Sequence, residues 1–279
     1  MDIINRTVIK KYEYTQVNLI TDANGNNFIE KIRFHLPPVL PLTFQYDYNE
    51  FEMIESIIKT LEIPHARIIE SVQNEQSTIY IMDFIDGIHC EDEPKAEYLY
   101  ITAEKLGTIY HQSKMNMNRL NKDIIKKYTL TEENIFDYIK VINQYYKMPP
   151  MDSMIHYIFE KYRNRPCFVT HGDVQFKNFI YNDDLHLIDW SGQIDPFFSD
   201  LHSLVTQAHE VNADIAEIKR RYLKFSQISS LDDEDILIGG IIGAIKGVFN
   251  LLIFDCPIEW IEDSYHGLLN LVSLLDYRK

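Results

Sequence analysis

Two carboxylates and a carboxamide stand close together in the run from Cys167 to Ser191, CFVTHGDVQFKNFIYNDDLHLIDWS: they are Asp173, Asn178 and Asp189. One carboxylate can take the proton of an attacking alcohol, while an amide oxygen and a second carboxylate can hold a hard divalent cation against phosphate oxygens. That is the donor set of phosphoryl transfer from a nucleotide, a reaction in which the protein contributes mainly position and charge. The position must come from the flanking residues. Phe168–Val169–Thr170 and Phe179–Ile180–Tyr181 are β-branched or aromatic, and Leu185 to Ile188 follows a turn at Asn182–Asp183–Asp184. The spacing predicts a polar loop between strands, with Asp189 delivered at the end of the last. Taken singly, Asp and Asn in such a loop are ordinary turn formers that bond their own backbone. It is the joint order that points to chemistry.

That order, H-G-D-x-x-x-x-N followed by two apolar residues, Asp and Trp, resembles the catalytic motif of the aminoglycoside phosphotransferase and choline kinase superfamily. Asp189–Trp190, Asp195–Pro196 and Asp200–Leu201 continue it in the same sequence order. The resemblance implies an α+β, bilobal protein-kinase-like fold, with a small antiparallel-sheet N-lobe over residues 1–87 and a larger, mainly helical C-lobe over 88–279. It makes Asp173 the catalytic base and Asn178 and Asp189 the ligands of Mg²⁺, with ATP or GTP as the phosphoryl donor. His171 would brace the catalytic loop, and Asp200 would be a buried carboxylate accepting backbone N–H groups of that loop. Lys177, just before the metal-ligand Asn, departs from the family, where small residues are commoner.

Upstream elements must hold the nucleotide. Val17 to Thr21 reads as a strand, Asn24–Gly25 as a hairpin turn, and Phe28 to Phe34 as the returning strand. Lys31 on that strand resembles the Lys that contacts the α- and β-phosphates in kinase-like folds. No glycine-rich loop precedes it in KKYEYTQ. Pro37, Pro38 and Pro41 mark a loop, and Tyr48 to Leu61 has helical spacing. Glu50 falls on the apolar stripe of that helix with Ile54 and Ile57, so it needs a partner, which the family's Lys–Glu ion pair supplies in Lys31. Residues 78 to 87, TIYIMDFIDG, resemble the hinge strand between lobes, in which backbone groups at Asp83 and Ile85 would meet the adenine edge and Met82 would sit behind the base.

From Glu97 onward the pattern is helical, with segments expected over Tyr98–Gln112, Ile135–Tyr146, Met154–Tyr162, Ile215–Ser226 and Asp235–Phe254. The last of these is long and apolar enough to be weighed as a membrane span. Lys246 near its middle and its four glycines fit a closely packed core helix better, because a charge at the bilayer centre is costly. The family's acceptor pocket is built by C-terminal helices. The candidates there are Trp190, Asp255, Glu259, Trp260, Glu262 and Asp263, aromatics and carboxylates suited to a cationic amine.

Composition bounds the remaining classes. The 279 residues are 46% hydrophobic and 25% charged, enough for a sizeable core and against disorder. Three widely spaced cysteines argue against a disulfide framework, and MDIINRTVIKK has no apolar signal region, so a cytoplasmic enzyme is expected. A net charge of −15 argues against nucleic acid as a partner and suits a cationic small molecule. The expected activity is transfer of the γ-phosphoryl group to a hydroxyl of such a molecule. Alternatives are a metabolic kinase of the choline, thiamine or homoserine type and a non-catalytic nucleotide-binding relative.

Overall fold

A computed structural model describes residues 1–11, 14–34, 50–254 and 256–275. The prolines at 37, 38 and 41, the expected helix start at Tyr48, and Asp255 lie outside these residues. In the N-terminal part, β1 (Ile3–Lys11), β2 (Thr15–Asp22), β3 (Asn27–Phe34), β4 (Ile68–Gln73) and β5 (Ser77–Asp83) form one antiparallel sheet in the order β1-β2-β3-β5-β4. The β2–β3 turn closes as the sequence predicts. Gly25 takes a positive φ, and the Asp22 carboxylate accepts the backbone N–H groups of Asn24 and Asn26, each at 2.9 Å. β3 is thereby central, and Lys31 pairs with Val17 on one side and Tyr80 on the other.

A three-residue helix, α1 (Glu50–Glu52), continues as π-helix over Met53–Ile58 and buries Met53, Ile54, Ile57 and Ile58. The apolar stripe read from the sequence is real, but its winding is not α-helical throughout. π-turns inside helices commonly occur where side chains are held for function, and this one begins three residues after Glu50.

The rest of the described chain is mostly helical. β6 (Ile88–His89) leads into α2 (Ala96–Asn116), α3 (Lys122–Tyr128), α4 (Glu132–Ile142) and α5 (Asp152–Tyr162). Thr131 starts α4 with a reciprocal capping box to Asn134. Short strands β7 (Phe168–Val169), β8 (Phe179–Asn182), β9 (Asp184–Leu187) and β10 (Ile194–Asp195) frame the loop that carries Asp173, with sheet orders β10-β7 and β6-β8-β9. Then follow α6 (Ser199–Gln207), α7 (Ile215–Ser226), α8 (Asp233–Ile253) and α9 (Ile258–Leu274). The run Phe168–Val169–Thr170 yields β7, but the sequence pattern missed β1, α3, β6 and β10, which are short or exposed and carry little periodicity.

α8 is the one helix among the described residues long and apolar enough to cross a bilayer. Instead it packs against α4, α6 and α9. A Cβ on Gly239 would lie 2.5 Å from the Phe198 backbone, so only glycine allows α6 to begin this close to α8. Lys246 is 3.8 Å from the fully buried Asp195. Burial pushes the Asp195 carboxyl up to about 6, against the opposing pull of Lys246.

Candidate active site

The loop after β7 is built before any side chain does chemistry. Asp200, in the first turn of α6, accepts the backbone N–H of His171 at 2.6 Å and that of Gly172 at 2.9 Å. Gly172 has φ +87, and a Cβ there would lie 2.6 Å from the Ser191 backbone, so the turn requires glycine. His171 is fully buried, its ring 4.7 Å from that of Trp190, and its Nδ1 accepts the Asp173 N–H at 3.4 Å. Across the β8–β9 hairpin, the Ile188 N–H donates to the Asn178 carbonyl at 3.0 Å, and the Ser191 N–H to the His171 carbonyl at 2.9 Å. These two bonds stitch the segment around Asp189 to the segment around Asp173 and Asn178.

The side chains then converge. Asn178 is 1% exposed, and its Nδ2 donates to the Asp173 carbonyl at 2.8 Å and to Asp173 Oδ2 at 2.9 Å. Its amide oxygen is thus turned away from Asp173. Asp189 adopts a left-handed backbone, φ +60, which costs a non-glycine residue on the order of 1 kcal/mol or more and is typical of functional positions. Lys31 Nζ lies 2.5 Å from Asp189 Oδ1 and 2.7 Å from Glu50 Oε2, so one buried ammonium joins β3 to the start of α1 and to the end of the β8–β9 hairpin.

Glu50 is held by more than Lys31. Arg33 Nη2 is 2.8 Å and the Tyr80 hydroxyl 2.5 Å from Glu50 Oε2. Burial works to raise the Glu50 carboxyl, but the Lys31 and Arg33 charges outweigh it and hold the group below its ordinary value. Asp189 behaves alike: burial opposes ionisation, and Lys31 overcomes it to leave the carboxyl well below the usual range. Both stay ionised at neutral pH.

Sequence reasoning named Lys31 and Glu50 but not Arg33 or Tyr80. The signal was present, since Arg33 is two residues from Lys31 and therefore on the same strand face, and Tyr80 is opposite Lys31 only once the β3–β5 register is known. Gln207 was also missed. It is 8% exposed at the end of α6, where its Oε1 accepts the Phe176 N–H at 2.9 Å and its Nε2 donates to the Val174 carbonyl at 2.7 Å. Being seven residues after Asp200, it shares that helix face, so α6 grips the loop on both sides of Asp173. Replacing Gln207 by Ala leaves two buried backbone groups unpaired, at about 1–3 kcal/mol each. We expect a lower Tm and, at a temperature where the variant is folded, at least a tenfold lower turnover with little change in nucleotide affinity. Equal turnover would remove Gln207 from loop positioning.

The other sequence candidates fall in less telling places. Met82 and Asp83 end β5, where the Asp83 N–H donates to the Arg67 carbonyl at 3.0 Å; Ile85 lies just beyond the strand. Trp190 is 2% exposed, packed on His171, and so supports the loop instead of lining an open pocket. Glu259, Trp260, Glu262 and Asp263 are exposed on α9. Burial and then the Glu262 charge push the Tyr146 hydroxyl up, which places Glu262 beside Tyr146, itself stacked on Tyr265. Lys177, the family departure, has Nζ 3.2 Å from Asp173 Oδ2.

No group of three or more His, Cys, Asp or Glu side chains among the described residues could cage a metal. One carboxylate oxygen of Asp189 and the Asn178 amide oxygen nonetheless fit Mg²⁺, which commonly takes one or two protein oxygens and completes its shell with phosphates and water.

Comparison with solved structures decides the architecture. Over 96% of this chain and 82% of the other, the fold superposes on a Plasmodium vivax ethanolamine kinase with a TM-score of 0.65 at 14% identity. The chain has the fold of the aminoglycoside phosphotransferase and choline kinase superfamily. Within that kinase-like fold it is also similar to an amicoumacin kinase determined with AMP-PNP, Ca²⁺ and its antibiotic, at TM-score 0.63, 14% identity and coverage of 98% and 91%. A spectinomycin phosphotransferase determined with ADP and spectinomycin matches at TM-score 0.60, 11% identity and coverage of 97% and 90%. No family model matches the chain, and no curated protein matches it in sequence. At these identities the kinase-like architecture is what is shared.

Proposed function

We propose that the protein is a small-molecule kinase of the aminoglycoside phosphotransferase type, which transfers the γ-phosphoryl group of ATP or GTP to a hydroxyl of a small cationic acceptor. The observation that carries this reading is the convergence of Lys31 with Glu50 and Asp189 next to the bonded pair Asp173 and Asn178. Asp173 orients the acceptor hydroxyl and takes its proton as the hydroxyl oxygen bonds to the γ-phosphorus and the bond to the β-phosphate oxygen breaks, releasing the nucleoside diphosphate. Lys31, fixed by Glu50, meets the nucleotide phosphates. Asn178 and Asp189 would hold Mg²⁺, which neutralises phosphate charge when bound. The Asp83 carbonyl, Ile85 and Met82 would border the base.

A metabolic kinase of the choline type is the second reading, favoured by the likeness to an ethanolamine kinase. The test is a thermal-shift titration with Mg·ATP and Mg·GTP, followed by turnover assays over aminoglycosides, spectinomycin, choline and ethanolamine. Stabilisation by nucleotide with Mg²⁺ and phosphorylation of at least one acceptor are expected. Neither stabilisation nor turnover would leave a scaffold without the activity.

A further inference from the structure

Lys177 has no part in the roles given to Asp173, Asn178 and Asp189, yet it touches the first of them. It is the middle residue of a single 3-10 turn, Phe176–Asn178, whose other two residues are buried. The backbone of that turn is pinned, because the Phe176 N–H donates to Gln207 Oε1, the Asn178 N–H to the Gln175 carbonyl at 2.8 Å, and the Ile188 N–H to the Asn178 carbonyl at 3.0 Å. The root of the lysine is fixed. Its side chain, 38% exposed, reaches back four residues to place Nζ 3.2 Å from Asp173 Oδ2. Lys31 is the contrast, with a side chain 4% exposed and an ammonium locked between Glu50 and Asp189. A half-exposed pair such as Lys177–Asp173 opens readily, and an ammonium on a flexible four-carbon stem can exchange one anion for another while the backbone stays put.

A stronger anion belongs close by. A base lies within hydrogen-bond distance of the hydroxyl it deprotonates, and that oxygen lies about 3–3.5 Å from the atom it attacks. The γ-phosphoryl group is therefore one hydrogen bond and one reaction distance from the side chain that Lys177 already touches. Asn178 Nδ2 also bonds Asp173 Oδ2, at 2.9 Å, so the carboxylate keeps an anchor if Lys177 leaves. Donors for the phosphates are otherwise sparse: KKYEYTQ offers no glycine-rich cradle, and Asn178 brings no charge.

We propose that Lys177 is a catalytic residue that moves from Asp173 to the γ-phosphoryl oxygens once nucleotide is bound and neutralises charge there during transfer. The acceptor hydroxyl oxygen bonds to the γ-phosphorus, its proton passes to Asp173, and the bond to the β–γ bridging oxygen breaks, its electron pair leaving on the nucleoside diphosphate. Lys177 keeps its own protons and supplies charge and N–H donors. Its departure also frees the Asp173 carboxylate to meet the hydroxyl. The proposal rests on the kinase reading above, because Asp173 as base fixes where the phosphoryl group lies.

The test compares wild type with K177M, K177Q and K177R. Turnover is measured with the acceptor found by the panel, or with water as acceptor if none is found, and Mg·ADP binding is measured with and without aluminium fluoride, a mimic of the transferring phosphoryl group. The side chain is half-exposed, so all three variants should fold, which Tm verifies. K177M is expected to lower kcat about 10²-fold, the loss typical of one charge-stabilising donor, while Kd for Mg·ADP, which lacks the γ-group, stays within threefold. Aluminium fluoride should tighten ADP binding at least tenfold in wild type and K177R, but not in K177M or K177Q. Gln can still bond Asp173 without carrying charge, so activity restored by K177Q and not by K177R would mark a merely structural lysine and overturn the proposal. An unchanged or raised kcat in K177M, or an aluminium fluoride effect absent from wild type or equal in K177M, would overturn it too. In each of those cases the kinase reading stands if wild type transfers phosphoryl or is stabilised by Mg·nucleotide. Absence of both in wild type overturns that reading, and this proposal with it.

Discussion

Asp173→Asn is expected to lower phosphoryl transfer by about 10³-fold, within the range spanned by general-base groups. The substitution keeps the shape, and the new side chain still offers an oxygen to Asn178 Nδ2, which now lies 2.9 Å from Asp173 Oδ2. What it removes is the proton acceptor and the counter-charge of Lys177. The loop is held by main-chain bonds to Asp200 and Gln207, neither of which involves the Asp173 side chain, so Tm and nucleotide affinity should change little. Single-turnover transfer assays alongside nucleotide titration make the separation. Turnover within tenfold of wild type would exclude Asp173 as the base, and a parallel loss of nucleotide binding would indicate a collapsed loop.

Lys31→Met is expected to lose both stability and activity. Lys31 is 3% exposed and Glu50 also 3%, so the variant leaves a buried carboxylate short of its closest cation. Breaking a buried pair in this way costs about 3 kcal/mol, with Arg33 and Tyr80 still bonded to Glu50 and softening the loss. The loss has a pH signature. Glu50 and Asp189 both have folded-state values below their ordinary ones of 4.5 and 3.8, so their contribution is present above those values and fades as pH falls through the lowered ones. Denaturant unfolding should therefore show the largest gap between wild type and variant near neutral pH and a shrinking gap below pH of about 4. Adding Glu50→Gln should recover part of the stability and none of the transfer, because the charge facing the nucleotide stays absent. A variant as stable as wild type at pH 7 would show that the Lys31 network contributes nothing net to the fold.

Much of the architecture was legible because its signals are local. The β2–β3 hairpin rests on Asn24–Gly25 and alternation, the helices of the C-terminal part on their apolar spacing, and the loop on a fixed order of polar residues between β-rich runs. Legibility failed where a residue's role depends on what lies opposite it. β1 is exposed over nearly its whole length, and the π-helical winding after Glu50 keeps an α-like apolar stripe, so neither announces itself. Asp83 does end β5, and only the structure shows that its N–H bonds the carbonyl of Arg67, just before β4.

By itself, then, the sequence determined which side chains were capable of the chemistry, Lys31, Glu50, Asp173, Asn178 and Asp189, because hydrogen-bonding type and order along the chain are covalent facts. Only the tertiary structure decided that Lys31, 158 positions before Asp189, touches it, that Arg33 and Tyr80 share Glu50 and Gln207 clamps the loop, and that Trp190 is sealed inside. Contacts of that kind arise from sheet register and helix packing, in which each partner is positioned by dozens of apolar residues that carry no trace of the polar pair they bring together.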